Sequence, residues 1–131
     1  MSGWKTRKAA NDYQRDYMSA NPDKRAAHRD WQRQREYAHR VWLHEYFREH
    51  HCVDCGEADP IILEFDHLRA NKRNRDVASM GQASRERVLR EIARCEVVCS
   101  SCHTRRTAKR ANSIRWQLWQ NWFWNFLEEV L

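Results

Sequence analysis

The spacing of apolar residues predicts two helices in the first half of the chain. Within residues 2–20 apolar side chains recur at helical spacing and Lys and Arg fill much of the rest, giving the row Ala9, Tyr13, Tyr17 and Ala20. Asn21-Pro22-Asp23 indicates a break and a restart, because Asn suits an N-cap and Pro suits the first helical position. No residue breaks a helix between Pro22 and His50, so we expect a second helix about 43 Å long there.

This second helix is too long to be buried all round, and we interpret it as an arm that is partly docked on the core. Its apolar row comprises Ala27, Trp31, Ala38, Trp42 and Tyr46. Residues 1–51 carry 11 Lys and Arg against 7 Asp and Glu, a net charge of +4. Two interpretations stay open for this arm: a DNA-binding element, or an amphipathic helix with a solvated face.

The middle of the chain alternates between turns, short strands and helices. Residues 52–59 predict a zinc knuckle in which Gly56 permits a tight turn, and 61–67 form the best strand candidate. Residues 69–76 predict a basic loop, and Ser84 starts a helix whose apolar face holds Val88, Leu89 and Ile92. We expect a short strand over 96–98 and a helix over 103–112.

The tail has a helical pattern with a wide apolar face. Leu118, Trp122, Phe126 and Val130 form one row, and Trp119, Phe123, Leu127 and Leu131 form a second. We expect this helix to pack against Trp31 and Trp42 of the arm. The alternative is a surface for a second copy or a protein partner. Base stacking is disfavoured, because residues 111–131 hold two acids and one Arg.

Composition narrows the class of protein. The 131 residues include only 3 Gly and 2 Pro, which disfavours a turn-rich all-β fold, and the net charge of +6 fits a nucleic-acid partner. No run of about 18 apolar residues exists, so we expect no membrane span. No charged segment precedes an apolar one at the start, so we expect no secretory signal and a cytoplasmic location.

Five cysteines provide the strongest chemical signal. Cys52 and Cys55 form one C-x-x-C pair, and Cys99 and Cys102 form another. In a reducing compartment stable disulfides are rare, so two such pairs in one small domain predict a four-thiolate zinc site. A closed four-thiolate shell has no open position, so this zinc would be structural. The alternative is two unrelated redox or buried pairs, and Cys95 is expected to be a small buried hydrophobe.

Three further side chains could carry chemistry. Asp66 and His67 end the predicted strand, and His103 follows the last zinc cysteine. A carboxylate and an imidazole suit divalent cations such as Mg²⁺, and a second imidazole can deprotonate water. In a regular strand Asp66 and His67 point to opposite faces, so the backbone bends there or one of them has another role. The alternatives are a surface turn for Asp66-His67 and a helix-capping knuckle residue for His103.

The order of these motifs resembles that of the HNH endonucleases with a four-cysteine zinc site. The resemblance covers residues 52–107: C-x-x-C, then Leu-Glu-Phe-Asp-His, then Cys-Glu-Val-Val-Cys-x-x-Cys-His followed by Thr-Arg-Arg-Thr. It implies a ββα-metal nuclease, in which a hairpin and a helix surround one catalytic divalent cation.

The resemblance also implies roles for individual residues. His67 would be the general base that activates water, and Asp66 and His103 would hold Mg²⁺ or another divalent cation. Phosphate contacts are expected from the basic residues Lys72, Arg73, Arg105 and Arg106. Two positions depart from the family pattern: Arg94 stands where the family has its middle Asn, and Thr107 stands at the third metal position.

Together these patterns predict an α+β, mostly helical fold. A zinc-stapled ββα-metal, treble-clef-like core over 52–112 would follow a helical basic arm over 1–51 and precede a Trp-rich amphipathic helix over 113–131. The leading functional hypothesis is a metal-dependent endonuclease that hydrolyses DNA. The first alternative is a non-catalytic zinc-finger module that binds DNA or protein. The second is an interaction protein whose arm and tail recruit other subunits. Family analogy adds a phage or mobile-element setting.

Overall fold

A computed structural model describes residues 6–130 of the chain, and this part is mostly helical with one small antiparallel sheet, as predicted. Its helices and strands are, in order, α1 (Arg7–Ala20), α2 (Pro22–Glu49), β1 (Leu63–His67), α3 (Arg85–Ile92), β2 (Cys95–Cys99), α4 (Ser100–Arg110) and α5 (Ile114–Val130). A short 3-10 turn, Val77–Ser79, lies between β1 and α3. The parts of the predicted first and last helices that fall on residues 2–5 and on Leu131 lie outside the described residues.

The break between α1 and α2 occurs where the sequence predicts it. The Thr6 hydroxyl caps α1 by accepting a hydrogen bond from the backbone N–H of Ala9, and α2 begins at Pro22. Asn21 occupies the N-cap position of α2 but does not cap it with its side chain. Instead its Nδ2 donates to the carbonyl oxygen of Tyr17 at 2.7 Å, so Asn21 closes the end of α1.

The arm is docked through the C-terminal half of α2. His39, Leu43 and Phe47 are the buried residues of this helix, and their spacing of four places them on one side. Leu43 packs in a cluster with Val77, Met80, Val88 and Ile92. Phe47 packs in a second cluster with Leu63, Val97, Val98 and three cysteines, Cys52, Cys99 and Cys102. The far half of α2 and all of α1 contribute no buried residue.

The backbone at Gly81 lies close to the backbone of α2. A Cβ atom built there would lie 3.0 Å from the Cα of Glu36, which is closer than ordinary van der Waals contact. A side chain at this position would require the loop that leads into α3, or α2 itself, to shift by a few tenths of an ångström. His39 fastens the same region, since its Nε2 lies 2.8 Å from the carbonyl oxygen of Val77.

The sheet consists of β1 and β2 in antiparallel register, with Leu63 opposite Cys99 and His67 opposite Cys95. β1 begins two residues later than predicted, because the Asp59 carboxylate accepts from the backbone N–H of Ile61 and holds a turn there. β2 extends one residue beyond the prediction at each end. Glu64 and Asp66 face α4, while Leu63, Phe65 and His67 face the opposite side.

Local caps set the bounds of α3 and α4. The Ser84 hydroxyl accepts from the backbone N–H of Arg87, which starts α3 as predicted. α4 begins at Ser100, three residues before the predicted start, because the sulfur of Cys99 accepts from the backbone N–H of Cys102 and caps the helix. The second knuckle is therefore also the first turn of α4.

The expected packing of the tail on the arm is wrong in this structure. α5 packs against α4 and has no buried residue. The ring of Trp42 is instead covered by the guanidinium of Arg85, 3.6 Å from its centroid, and Trp31 lies beside Arg35 on its own helix. Trp42 is therefore covered by Arg85 and not by α5, and the aromatic face of α5 is exposed.

Candidate metal centre and neighbouring cleft

The two C-x-x-C pairs meet beside the sheet. Cys52 and Cys55 lie in the turn after α2, where the backbone N–H of Gly56 donates to the Cys52 carbonyl at 2.9 Å and Gly56 adopts a φ of +78°. This left-handed conformation is what glycine permits at low cost. Cys99 ends β2 and Cys102 lies in the first turn of α4. The backbone N–H of Val53 also donates to the carbonyl of Val97, which holds the first knuckle against β2.

The four sulfur atoms are close enough to hold one metal ion such as zinc. All four lie within 4.8 Å of one another, and the Cys55 and Cys99 sulfurs are 3.7 Å apart. Tetrahedral zinc with Zn–S bonds of about 2.3 Å requires sulfurs about 3.8 Å apart. All five cysteines are free thiols. Within residues 6–130 these four form the only group of three or more metal-binding side chains at such distances.

The electrostatics of the thiols also favour a cation. Burial opposes ionisation of Cys52, yet hydrogen bonds from the backbone of Cys99, Cys55 and Asp54 lower the pKa of its thiol to about 6. Burial, together with its sulfur neighbours, raises the pKa of Cys102 to about 12. One thiolate thus forms readily, while further thiolates would repel it. A divalent cation removes this repulsion and lets all four ionise.

Cys95 takes no part in this cluster. Its thiol donates to the carbonyl oxygen of Glu91 at 3.3 Å, and burial raises its pKa to about 11. A thiol that stays protonated and partly buried is neither a good nucleophile nor a good ligand. This agrees with the prediction that Cys95 has only a packing role.

Asp66, His67 and His103 line one open cleft beside the metal centre. It is lined by residues 65–68 at the end of β1 and by residues 74–77, together with Ala70, His103 and Arg110. The regular β1–β2 pairing continues through His67, so the backbone does not bend and Asp66 and His67 do point to opposite faces. Both still reach the cleft because they lie at the end of the strand.

Asp66 is held by arginines of α4. Both oxygens of the buried carboxylate accept from the Arg110 guanidinium at 2.7 Å, and Arg106 adds a bond of 3.0 Å. His103 Nε2 lies 3.5 Å from Asp66 Oδ1, and His103 Nδ1 lies 2.6 Å from Glu64. Burial alone would raise the pKa of Asp66, but Arg110 and Arg106 hold it below its usual value. Asp66 is therefore ionised.

His67 is paired with an acid that the sequence did not single out as its partner. Its Nε2 lies 2.7 Å from Oε1 of Glu91, a buried residue of α3. The same oxygen accepts from the backbone N–H of Arg75 at 2.9 Å, which is the main cause of a lowered pKa for Glu91. The ionised carboxylate favours a proton on Nε2 of His67. Nδ1 is then the nitrogen that can accept a proton.

Arg94 and Thr107, the two residues that depart from the HNH pattern in the sequence, have different surroundings. Arg94 donates to Asn74 at 2.7 Å and to Glu91 at 3.3 Å, and its backbone carbonyl accepts from the N–H of Leu68, next to His67. Arg94 therefore supports the region of His67 through its backbone and through Glu91. Thr107 is exposed one turn after His103 on α4.

The four expected phosphate contacts divide into exposed and internal residues. Lys72 and Arg73 are exposed on the loop that follows β1, and Arg105 is exposed on α4, where it borders a groove with Trp116 and Trp119. Arg106 is mostly buried and has an internal role, because it pairs with Asp54 and Glu96 at 2.7 Å in addition to Asp66.

Sequence reasoning missed three partners of the predicted site residues: Glu64 beside His103, Glu91 beside His67 and Arg110 beside Asp66. Glu64 could have been found from strand alternation, because it lies two residues before Asp66 and so shares its face. Glu91 and Arg110 had only weak signals. A Glu on the apolar side of α3 suggests a buried acid, but nothing in its spacing points to His67.

Comparison of this chain with known protein families, with curated proteins and with solved structures finds no match. Of the helices in residues 6–130, none combines the length and the apolar character needed to cross a membrane.

Removal of a metal bound by the cysteines should unfold the core, because the four thiols join the end of α2 to the start of α4 and three of them, those of Cys52, Cys99 and Cys102, belong to one of the two apolar clusters. We expect a strong chelator to abolish cooperative thermal melting, as followed by circular dichroism.

The cysteines offer a matched pair of variants for this experiment. Cys99→Ser should lose bound zinc and melt without cooperativity, whereas Cys95→Ser should keep one zinc per chain and a wild-type transition. Cooperative melting of the chelated wild-type protein would contradict the prediction.

Proposed function

We propose that this protein is a metal-dependent endonuclease of the HNH type that hydrolyses DNA phosphodiester bonds. The observation that carries the proposal is the shared cleft of Asp66, His67 and His103 beside a four-cysteine cluster. A candidate base, candidate ligands of a catalytic metal and a candidate structural zinc site therefore occur together. Their order along the chain resembles the order found in this family. Each feature alone would be common in proteins without this activity.

In this proposal the four cysteines bind a structural zinc ion. A complete shell of thiolates leaves no position for substrate, so the zinc acts on folding and not on the reaction. The zinc ion would hold the end of β2 and the start of α4 next to the turn that contains Cys52 and Cys55. His103 follows Cys102 directly, so the same fastening determines where its imidazole stands relative to Asp66.

The proposed base is His67, and Glu91 positions it. Glu91 accepts a hydrogen bond from the N–H at Nε2, and this leaves Nδ1 free to take a proton from water. The water oxygen attacks phosphorus, its proton passes to His67, and the bond to the 3′ oxygen breaks as the new P–O bond forms. Glu91 does not touch the reacting atoms, so it is a positioning residue.

Asp66 and His103 are the proposed ligands of a catalytic divalent cation such as Mg²⁺. A carboxylate and an imidazole with ligand atoms 3.5 Å apart fit such an ion once Arg110, which is half-exposed, releases the carboxylate. The cation would supply positive charge to the phosphate and to the leaving oxygen. Thr107 could add only a hydroxyl or a water-mediated contact.

The proposed DNA contacts come from exposed cations. Lys72 and Arg73 stand on the loop after β1, and Arg105 stands on α4. Arg106 is left out of this set, because three carboxylates already surround its guanidinium. The net charge of +6 and the basic arm would add attraction that is independent of DNA sequence.

The second candidate function is a non-catalytic zinc module that binds DNA or a protein. One observation favours it: the two-pronged pair between Arg110 and Asp66 already neutralises the carboxylate that a catalytic cation would need. In this alternative the four cysteines keep their role, and the cleft residues serve only to hold α4 against the sheet.

Removal of His67 should abolish cleavage. We expect the zinc-loaded protein to nick supercoiled plasmid in Mg²⁺, Mn²⁺ or Ni²⁺, and His67→Ala to lower the initial rate by at least about 100-fold, because a general base contributes roughly that much. His28→Ala is the control, because this exposed imidazole lies on α2 and does not line the cleft. The absence of nicking in every metal, or an equal rate for His67→Ala, would contradict the proposal.

The two candidate functions differ in what happens when Arg110 is neutralised. If Asp66 and His103 bind a cation, Arg110→Gln should free Asp66 and lower the dissociation constant for Mn²⁺ by about tenfold, as measured by calorimetry on zinc-loaded protein. Lys109→Gln removes a charge from the neighbouring position of α4 and should leave Mn²⁺ binding unchanged. If neither the wild type nor Arg110→Gln binds Mn²⁺ beyond the zinc, the non-catalytic module is the correct function.

A further inference from the structure

The aromatic face of α5 is preorganised and uncovered. Trp116, Trp119, Phe123, Phe126 and Val130 recur at alternating intervals of three and four residues, the spacing of a two-helix seam. Their rings stack along the helix, with centroids 5.1 Å apart for Trp116 and Trp119 and 5.3 Å apart for Trp119 and Phe123. No residue of α5 is buried. Such a face is unusual on a monomer.

We propose that this face binds a second copy of the chain, with the two α5 helices antiparallel about a twofold axis. The proposal does not depend on the proposed reaction, because it uses none of Asp66, His67 and His103; it shares with the proposed function only Arg105, a proposed DNA contact that lies at the border of the interface. Three separate observations support it: the exposed area of the face, the charges along α5, and the groove between α4 and α5 that continues the face.

The exposed area is sufficient for a dimer of modest size. Trp119, Phe123 and Phe126 of the seam are exposed by 47%, 36% and 48%, and Trp122, which lies on the flank of the seam, is exposed by 62%. An aromatic side chain presents roughly 200 Å², so these four offer about 400 Å² per chain. With the aliphatic residues of the same face, two copies could bury about 1,000 Å², the lower limit of a specific interface.

The charges on α5 select the antiparallel orientation. Arg115 and Glu129 are exposed and 14 residues apart, which is close to four helical turns, so both lie on the same flank of the seam. In an antiparallel pair each flank meets the same flank of the other helix at the opposite end. Arg115 of one copy would then meet Glu129 of the other, twice per dimer. A parallel pair would bring opposite flanks together, so Arg115 would not meet Glu129 and both contacts would be lost.

A groove between α4 and α5 extends the proposed interface. It is lined by Ala108, Trp116 and Trp119, with Arg105 and Arg115 at its border. In the antiparallel arrangement it faces the end of the second α5 that carries Glu128 and Glu129. The groove thus has an apolar floor and two cations, Arg105 and Arg115, and these would face the two acids at the C-terminal end of the second copy's α5. Among residues 6–130, neither Arg115 nor Glu129 has an ion-pair partner, so both are available.

The mass of the zinc-loaded full chain in solution tests the proposal. We expect sedimentation velocity under reducing conditions to show a concentration-dependent monomer–dimer equilibrium. Phe126→Glu, within the seam, should raise the dimer dissociation constant at least tenfold. Trp124→Glu is the matched control, because Trp124 is 62% exposed but lies outside the seam, and it should leave the equilibrium unchanged. All substituted side chains are exposed, so the variants should fold.

Charge reversal tests the orientation. Arg115→Glu or Glu129→Arg alone should weaken the dimer about threefold to tenfold, because each creates two like-charge contacts, and the double variant should restore wild-type association. A monomer at every concentration would overturn the proposal, and so would equal effects of Phe126→Glu and Trp124→Glu. Failure of the double variant to restore association would overturn the antiparallel arrangement.

Discussion

The convergence of four thiols from two distant parts of the chain is the constraint on which this structure depends. The apolar clusters are small, and one of them is built partly from the cysteines themselves, so packing alone leaves little to hold the first knuckle against β2 and α4. A bound cation would let all four thiols ionise and would join them in a single site. The positions of His103, Arg106 and Arg110 all follow from where α4 starts, which the second knuckle determines.

The second feature that organises the structure is the Asp66 carboxylate, which is approached by Arg106, Arg110 and His103. The carboxylate is buried and ionised, and it holds Arg106 and Arg110 on one side while His103 approaches on the other. A buried charge needs compensation, and a guanidinium or a divalent cation can supply it. The difference between a structural ion pair and a catalytic metal site therefore lies in one half-exposed arginine, and His67 with Glu91 forms a separate unit on the other face of the strand.

The sequence predicted the helices and strands better than the contacts between them. Asn21-Pro22 and Ser84 act through backbone geometry or hydrogen bonds within a few residues, and each C-x-x-C pair brings two thiols together within one turn, so their effect can be predicted from spacing. The start of β1 was missed because the Asp59 side chain holds a turn over two residues that look like strand. The pairing of His67 with Glu91, and of Asp66 with Arg110, depends on how α3 and α4 pack on the sheet. The periodicity of α5 predicts an apolar face but carries no information on what covers it, which is why its packing on the arm was wrongly expected.

X-ray absorption spectroscopy at the zinc edge tests the central claim most directly. The account predicts one zinc per chain with four sulfur neighbours at about 2.3 Å and no nitrogen or oxygen in its first shell. Fewer than four sulfurs, or a protein that folds without any bound metal, would show that the thiols do not act as one site and that the arrangement of the neighbouring cleft needs another explanation.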